Sequence, residues 1–209
     1  MTAAREAAGV ITDALADLEP SGTRHLIAIA GAPGSGKSTV AAEVVRLLQS
    51  AGRASALVTM DGYHLDNSVL VERGQLDRKG APETFDLAGF AAALGRLTRG
   101  GEVILPIFDR SRDASIAGAQ VVGADRDWLV IEGNYLLLDA PGWRDLAGRW
   151  TRSFHLRTPW EVLEARLIQR WLDHGKSPED ARRRALDFDI PNARRIERDS
   201  LQADMDVAN

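Results

Sequence analysis

The sequence predicts an α/β fold in which a parallel sheet of five strands is flanked by helices. Three observations predict it. "HLIAIA", from His25, is a short apolar run with β-branched residues. It passes through a glycine-rich loop straight into "VAAEVVRLLQSAG", whose apolar residues recur at helical spacing and stop at Gly52. Four further runs of similar kind follow, "SALVTM", "DWLVIEGNYLLL", "RSFHLRT" and "ADMDV", separated by helical segments. The run from His25 is of the kind expected for a buried parallel strand, and strands alternating with helical segments indicate a parallel α/β sheet.

The elements can be justified in order. Residues 1–20, "MTAAREAAGVITDALADLEP", read as an Ala-rich amphipathic leading helix closed by Pro20-Ser21-Gly22. The second strand ends at Asp61 and the third carries Glu132. After the fourth, Thr158-Pro159-Trp160-Glu161 has capping-box spacing with proline at the first helical position, and Ser177-Pro178-Glu179-Asp180 is a similar helix start. "RWLDHGK" between them reads as a helix end and turn. The chain is expected to form one domain over residues 1–209, with a small lid from Arg166 to about Arg184.

Composition narrows the function classes. Hydrophobic residues make up 44% of the 209 residues and charged residues 27%, the balance of a soluble globular protein. A net charge of -4 argues against a large footprint for nucleic acid. The chain has no cysteine, which excludes disulfides and thiolate metal sites and fits a cytoplasmic protein. No stretch reads as a signal peptide or a membrane span, so no membrane partner is expected. A monomer or homodimer is expected.

Gly31-Ala32-Pro33-Gly34-Ser35-Gly36-Lys37-Ser38, followed by Thr39, matches the phosphate-binding loop of the P-loop NTPase fold, a three-layer α/β architecture. Glycines let successive backbone N–H groups turn toward phosphate oxygens, and the helix N-terminus adds positive partial charge. Lys37 can reach the β- and γ-phosphates of ATP, and the Ser38 hydroxyl can ligate Mg²⁺. The strand before the loop and the helix after it supply the context that the pattern requires. GTPases are disfavoured because no Asn-Lys-x-Asp segment occurs, and Asp77-Arg78-Lys79-Gly80 follows no strand. A Ser-Gly-Gly transporter signature is absent too, which leaves a small-molecule kinase.

Ligands of such sheets bind beyond the carboxyl ends of the strands. Glu132, in "LVIEG", is placed to orient Mg²⁺ directly or through water; a charged strand terminus is the other reading. Asp61, in "LVTMDGYHLDN", can be read as the turn residue of an Asp-Gly pair or as the base that takes the proton of an acceptor hydroxyl. The phosphate loop favours the base.

"GAPGSGKST", "MDGYHLDN", "RKGAPETFD", "LPIFDRSRDASI" and "IEGNYLLLD" together resemble the P-loop kinases related to uridine kinase, pantothenate kinase and phosphoribulokinase. Within that group the resemblance is to a bacterial branch labelled nucleoside kinase-like or "putative fructose transport system kinase", and it spans about His25 to Asn192. It implies that Asp61 is the base and that Arg78 and Lys79, with Gly80, Pro82 and Phe85, line the acceptor side. Pro106-Ile107-Phe108-Asp109 resembles the Pro-x-Tyr-Asp segment of uridine kinases with Phe for Tyr, and "RSRDAS" replaces the histidine-containing continuation found there. That departure weighs against a pyrimidine nucleoside.

Arg166 and Arg170 lie one turn apart on the helix that opens the lid, and either can cover the transferring phosphoryl group. Arg182, Arg183 and Arg184 read as a solvated charge run with one member at most facing the site. Asp189 and Asn192 resemble a family segment near the nucleotide. Tyr63, His64, Arg78, Lys79, Asp109, Arg110 and Arg112 are the candidates for binding the acceptor. The reading is an ATP- and Mg²⁺-dependent kinase for a hydroxyl of a small metabolite. The competing reading is a nucleotide-dependent switch that transfers nothing to a small molecule.

Overall fold

The computed structural model describes residues 2–20 and 22–209. Met1 and Ser21, and with Ser21 part of the expected break after the leading helix, lie outside the described residues. The helix itself, α1 (Ala3–Asp13), buries Ala7, Ala8 and Ile11. It precedes β1 (His25–Gly31), α2 (Lys37–Ser50) and β2 (Ser55–Thr59). Next come α3 (Asn67–Glu72), α4 (Leu87–Thr98), β3 (Val103–Asp109), β4 (Ala114–Val122) and β5 (Trp128–Gly133). The chain continues through β6 (Arg152–Arg157), α5 (Trp160–Asp173), α6 (Pro178–Arg184), α7 (Ile190–Asp199) and β7 (Met205–Ala208).

The five predicted strands form one sheet in the order β2-β5-β1-β6-β7. All four pairings are parallel. Side chains of β1 alternate between two cores, as a pleated strand requires. Leu26, Ala28 and Ala30 join α4, Tyr135 and Trp143 on one face. Ile27 and Ile29 join α1 and α2 on the other. Both faces are covered, which makes three layers. Among the described residues no helix is long and apolar enough to cross a membrane.

Two local expectations are corrected. Thr158 does not cap α5: its hydroxyl turns to the Ser35 carbonyl at 3.4 Å, and Pro159 holds the position before the first helical residue. Ser177 does cap α6, accepting from the Asp180 amide at 3.1 Å, with Pro178 in the first turn. The second strand ends at Thr59, and Met60–Tyr63 form a 3-10 turn. The structure also adds an antiparallel β3–β4 hairpin that the sequence reading did not identify.

Candidate active site

In register, Ile29 of β1 lies beside Glu132 of β5, which lies beside Thr59 of β2. The phosphate loop, Glu132 and the turn carrying Asp61 therefore meet at one edge of the sheet. That edge opens into a cleft of about 1060 Å³. Pro33, Gly34, Gly36, Lys37, Ser38 and Thr39 line it, while Ala32 and Ser35 are buried below and use their carbonyls as supports. Gly31, at the end of β1, joins the strand to the loop. Gly36 is left-handed at φ 86°, and a Cβ there would lie 2.6 Å from the Asn209 amide nitrogen, so only glycine fits where α2 begins.

Lys37 is buried and donates to the Ala32 carbonyl at 3.0 Å. Burial pulls its ammonium below the ordinary lysine value; the charges of Glu132 and Asp61 oppose this, and those of Arg170 and Arg110 add to it. Glu132 is 5% exposed and accepts from the Ser38 hydroxyl at 3.1 Å. Burial, reinforced by the charge of Asp61, pushes its carboxyl up to about 7 against the pull of Lys37 and Ser38. These are hard oxygen donors at a phosphate loop, the set that suits Mg²⁺ shared with nucleotide oxygens. Among the described residues no group of three or more His, Cys, Asp and Glu is arranged to hold a metal by itself.

Asp61-Gly62 is a turn, and the turn serves the site. A Cβ on Gly62 would lie 2.5 Å from the Pro106 carbonyl, so the glycine lets the 3-10 turn press against β3. The Asp61 carboxylate lines the cleft and accepts from Arg110 Nη2 at 3.2 Å.

The acceptor-side candidates divide. His64, Lys79 and Arg110 line the cleft beside Phe108 and Asp113. Four others do not. Tyr63 is packed in the core against Phe90, with ring centroids 5.1 Å apart, and burial raises its phenol to about 12. Arg78 points outward to pair with Glu83. Asp109 accepts from Ser111 and Arg112 within its own turn, and Arg112 pairs back to Asp109 at 3.5 Å. In the first case the side chain belongs to the core, and in the others it is committed locally.

The lid candidates divide as well. Arg170 lines the cleft and donates to Asp189 at 2.8 Å. Arg166 instead reaches the Gly34 carbonyl from outside at 3.2 Å. Arg183 and Arg184 both face the cleft, and Arg182 pairs away with Glu164 at 3.6 Å. The expectation of at most one inward-facing member is therefore corrected. Sequence reasoning missed Asp113, Asn134 and Trp171, which also line the cleft. It missed Asn209 too, whose amide donates to the Ser35 carbonyl at 2.5 Å. The adjacency of Asn134 to Glu132-Gly133 was a signal. Asn209 gave none, because only the β6–β7 pairing brings it to the loop.

A model of the Phosphoribulokinase / Uridine kinase family matches residues 26–170. The chain belongs to this family. A crystal structure of a "putative fructose transport system kinase" from Silicibacter sp. TM1040 superposes with a TM-score of 0.89 at 50% identity, covering 99% of this chain and 98% of that one. An Escherichia coli K12 protein, the uncharacterized YggC, is 33% identical over 186 residues, 88% of this chain and 77% of its own. A "putative uridine kinase" of Schizosaccharomyces pombe is 31% identical over 194 residues, 87% of this chain and 82% of its own. As a phosphoribulokinase / uridine kinase family member the protein is a small-molecule kinase.

Proposed function

We propose that this kinase moves the γ-phosphoryl group of ATP to a hydroxyl of a small metabolite, a nucleoside, a pantothenate-like acid or a sugar. One observation carries the reading. Asp61 and Glu132, from the ends of neighbouring strands, line one cleft with the buried phosphate-loop lysine. One carboxylate beside Ser38 and a second on the acceptor side of the cleft is what in-line phosphoryl transfer needs.

Ser38 and Glu132 would hold Mg²⁺, which when bound neutralises charge on the β- and γ-phosphates. Lys37 and the loop amides bind the nucleotide phosphates. Asp61 takes the hydroxyl proton as the acceptor oxygen bonds to the γ-phosphorus and the bond to the bridging oxygen breaks, leaving ADP. Arg170, held from the lid, offers positive charge to the transferring group and helps exclude water.

The test is ADP release with ATP and Mg²⁺ across nucleosides, pantothenate-like acids, sugars and sugar phosphates, with Asp61→Asn beside the wild type. One acceptor should stimulate turnover, and Asp61→Asn should lower it by about 10²–10⁴-fold while ATP still binds. Undiminished turnover in Asp61→Asn returns Asp61 to the role of a turn residue. ATP binding without stimulation by any acceptor favours the nucleotide-dependent switch.

A further inference from the structure

We propose that the acceptor carries an oxyanion, a carboxylate or a phosphate, which takes Arg110 away from Asp61 as it binds. The inference rests on the kinase reading of the cleft and names the substrate class for it. One oxygen of the carboxylate that would receive the hydroxyl proton, Asp61 Oδ2, is engaged by Arg110 Nη2 at 3.2 Å. An acceptor without a competing group leaves that ion pair in place, whereas one with an oxyanion offers the guanidinium a better partner and frees the carboxylate.

Three other cations of the cleft are already committed. Lys79 lines the same end of the cleft, but its three donors go to Asn67 Oδ1 at 2.6 Å, the Asp113 carbonyl at 2.8 Å and Asp113 Oδ1 at 2.9 Å. Arg170 is tied to Asp189, and Lys37 belongs to the phosphate loop. Asp61 is the partner found for Arg110 among the described residues, and the Arg110 side chain is 59% exposed, so its planar fork has donors to offer.

The loop that presents Arg110 is pinned on both sides. Before it, Asp109 Oδ1 accepts from the Ser111 amide at 2.9 Å and the Ser111 hydroxyl at 2.6 Å. After it, Asp113 sits in the left-handed region at φ 51°, held by Lys79 and by Asn67 at 2.9 Å. A non-glycine residue kept in that conformation by three contacts marks an imposed loop shape. The guanidinium is thus carried on a preset support next to the base.

The experiment measures kcat/KM for matched acceptors that differ only in the anionic group: a polyol and its phosphate ester, a hydroxy acid and the corresponding alcohol. Wild type is compared with Arg110→Gln. The charged member should be preferred by about 10–100-fold, and Arg110→Gln should remove most of that preference with the KM for ATP unchanged. Equal use of neutral and charged members overturns the proposal. So does an Arg110→Gln loss that is equal for both members and accompanied by a raised KM for ATP, because Arg110 then serves the transferring phosphoryl group. A second measurement needs no turnover: inorganic phosphate and acetate are titrated by NMR with the phosphate loop filled by Mg²⁺ and a non-hydrolysable ATP analogue. Binding weakened about tenfold or more in Arg110→Gln supports the site and tells phosphate from carboxylate. Binding of neither anion overturns the proposal, and binding without any turnover refutes the kinase reading alone.

Discussion

At the scale of single residues, His64 shows how burial sets the state of the cleft. Its ring stacks on Phe85 with centroids 4.0 Å apart and lies 4.7 Å from Phe108. Burial pushes it down to about 4; Asp61 and Asp113 oppose this, and Lys79 and Arg110 add to it. The folded value lies below the ordinary histidine value, so the unfolded chain takes the proton first as pH falls. The stability contribution is complete above about pH 6.5 and is lost as pH falls from there through about 4, at most about 3 kcal/mol. Denaturant midpoints measured from pH 7.5 to 4.5 should fall less steeply for His64→Phe than for wild type; parallel curves would refute the assignment. Lys37 is pulled down by burial in the same way. Its burial costs the nucleotide-free protein, so Lys37→Met should leave unliganded stability within about 1 kcal/mol of wild type. The same variant should abolish the rise in melting temperature that ATP and Mg²⁺ give the wild type. A normal ligand-induced rise would show that Lys37 does not hold phosphate.

At the scale of elements, one carboxylate ties the turn between α6 and α7 back to α5. Asp189 ends a π-helical turn, Ala185–Asp189, between α6 and α7. Its Oδ1 accepts from Arg170 at 2.8 Å and its Oδ2 from the Trp171 indole at 2.6 Å. π-Turns recur at functional sites because the wider turn re-aims the side chains it carries. Here it aims Asp189 back at α5. Asp189→Ala should cost about 1–3 kcal/mol in global stability. It should also speed amide exchange in α6 and change Trp171 fluorescence. Unchanged exchange in α6 would mean that α6 is held without this carboxylate. Sequence pattern gave Ser177 and Pro178 as the start of α6, because a cap is local chemistry. It did not give the π-turn, because a π-turn depends on packing between helices. The β3–β4 hairpin escaped notice for a different reason. Pro106 and the bulge between Leu105 and Ile107 interrupt its alternation, and Ala117, Gly118 and Ala119 of β4 are exposed small residues.

At the scale of the whole molecule, the sheet was legible because its central strands β1 and β5 are buried along their whole length and read as nearly apolar runs. The carboxyl-end placement of Lys37, Asp61 and Glu132 followed from it. The order of the strands was not legible, and that order alone brings Asn209 to the phosphate loop. Nor could pattern tell which of Tyr63, His64 and Lys79 faces the cleft, since a 3-10 turn has no amphipathic period long enough to read. The same sheet separates two cores that share no member. Val44 of α2 and Leu94 of α4 are fully buried on opposite faces. Each truncation to alanine removes transfer free energy and leaves a cavity, at about 1–3 kcal/mol for Val44→Ala and 2–5 for Leu94→Ala. Because the cavities open into different cores, the double variant should equal the sum within about 0.5 kcal/mol, whereas Phe90→Ala with Leu94→Ala, in one core, should depart from additivity by more. Chemical denaturation of the three single and two double variants beside wild type measures this. A coupling as large across the sheet as within one face would mean that the strands transmit strain between layers, and the central sheet would then be a deformable element rather than the rigid floor on which the active-site edge is built.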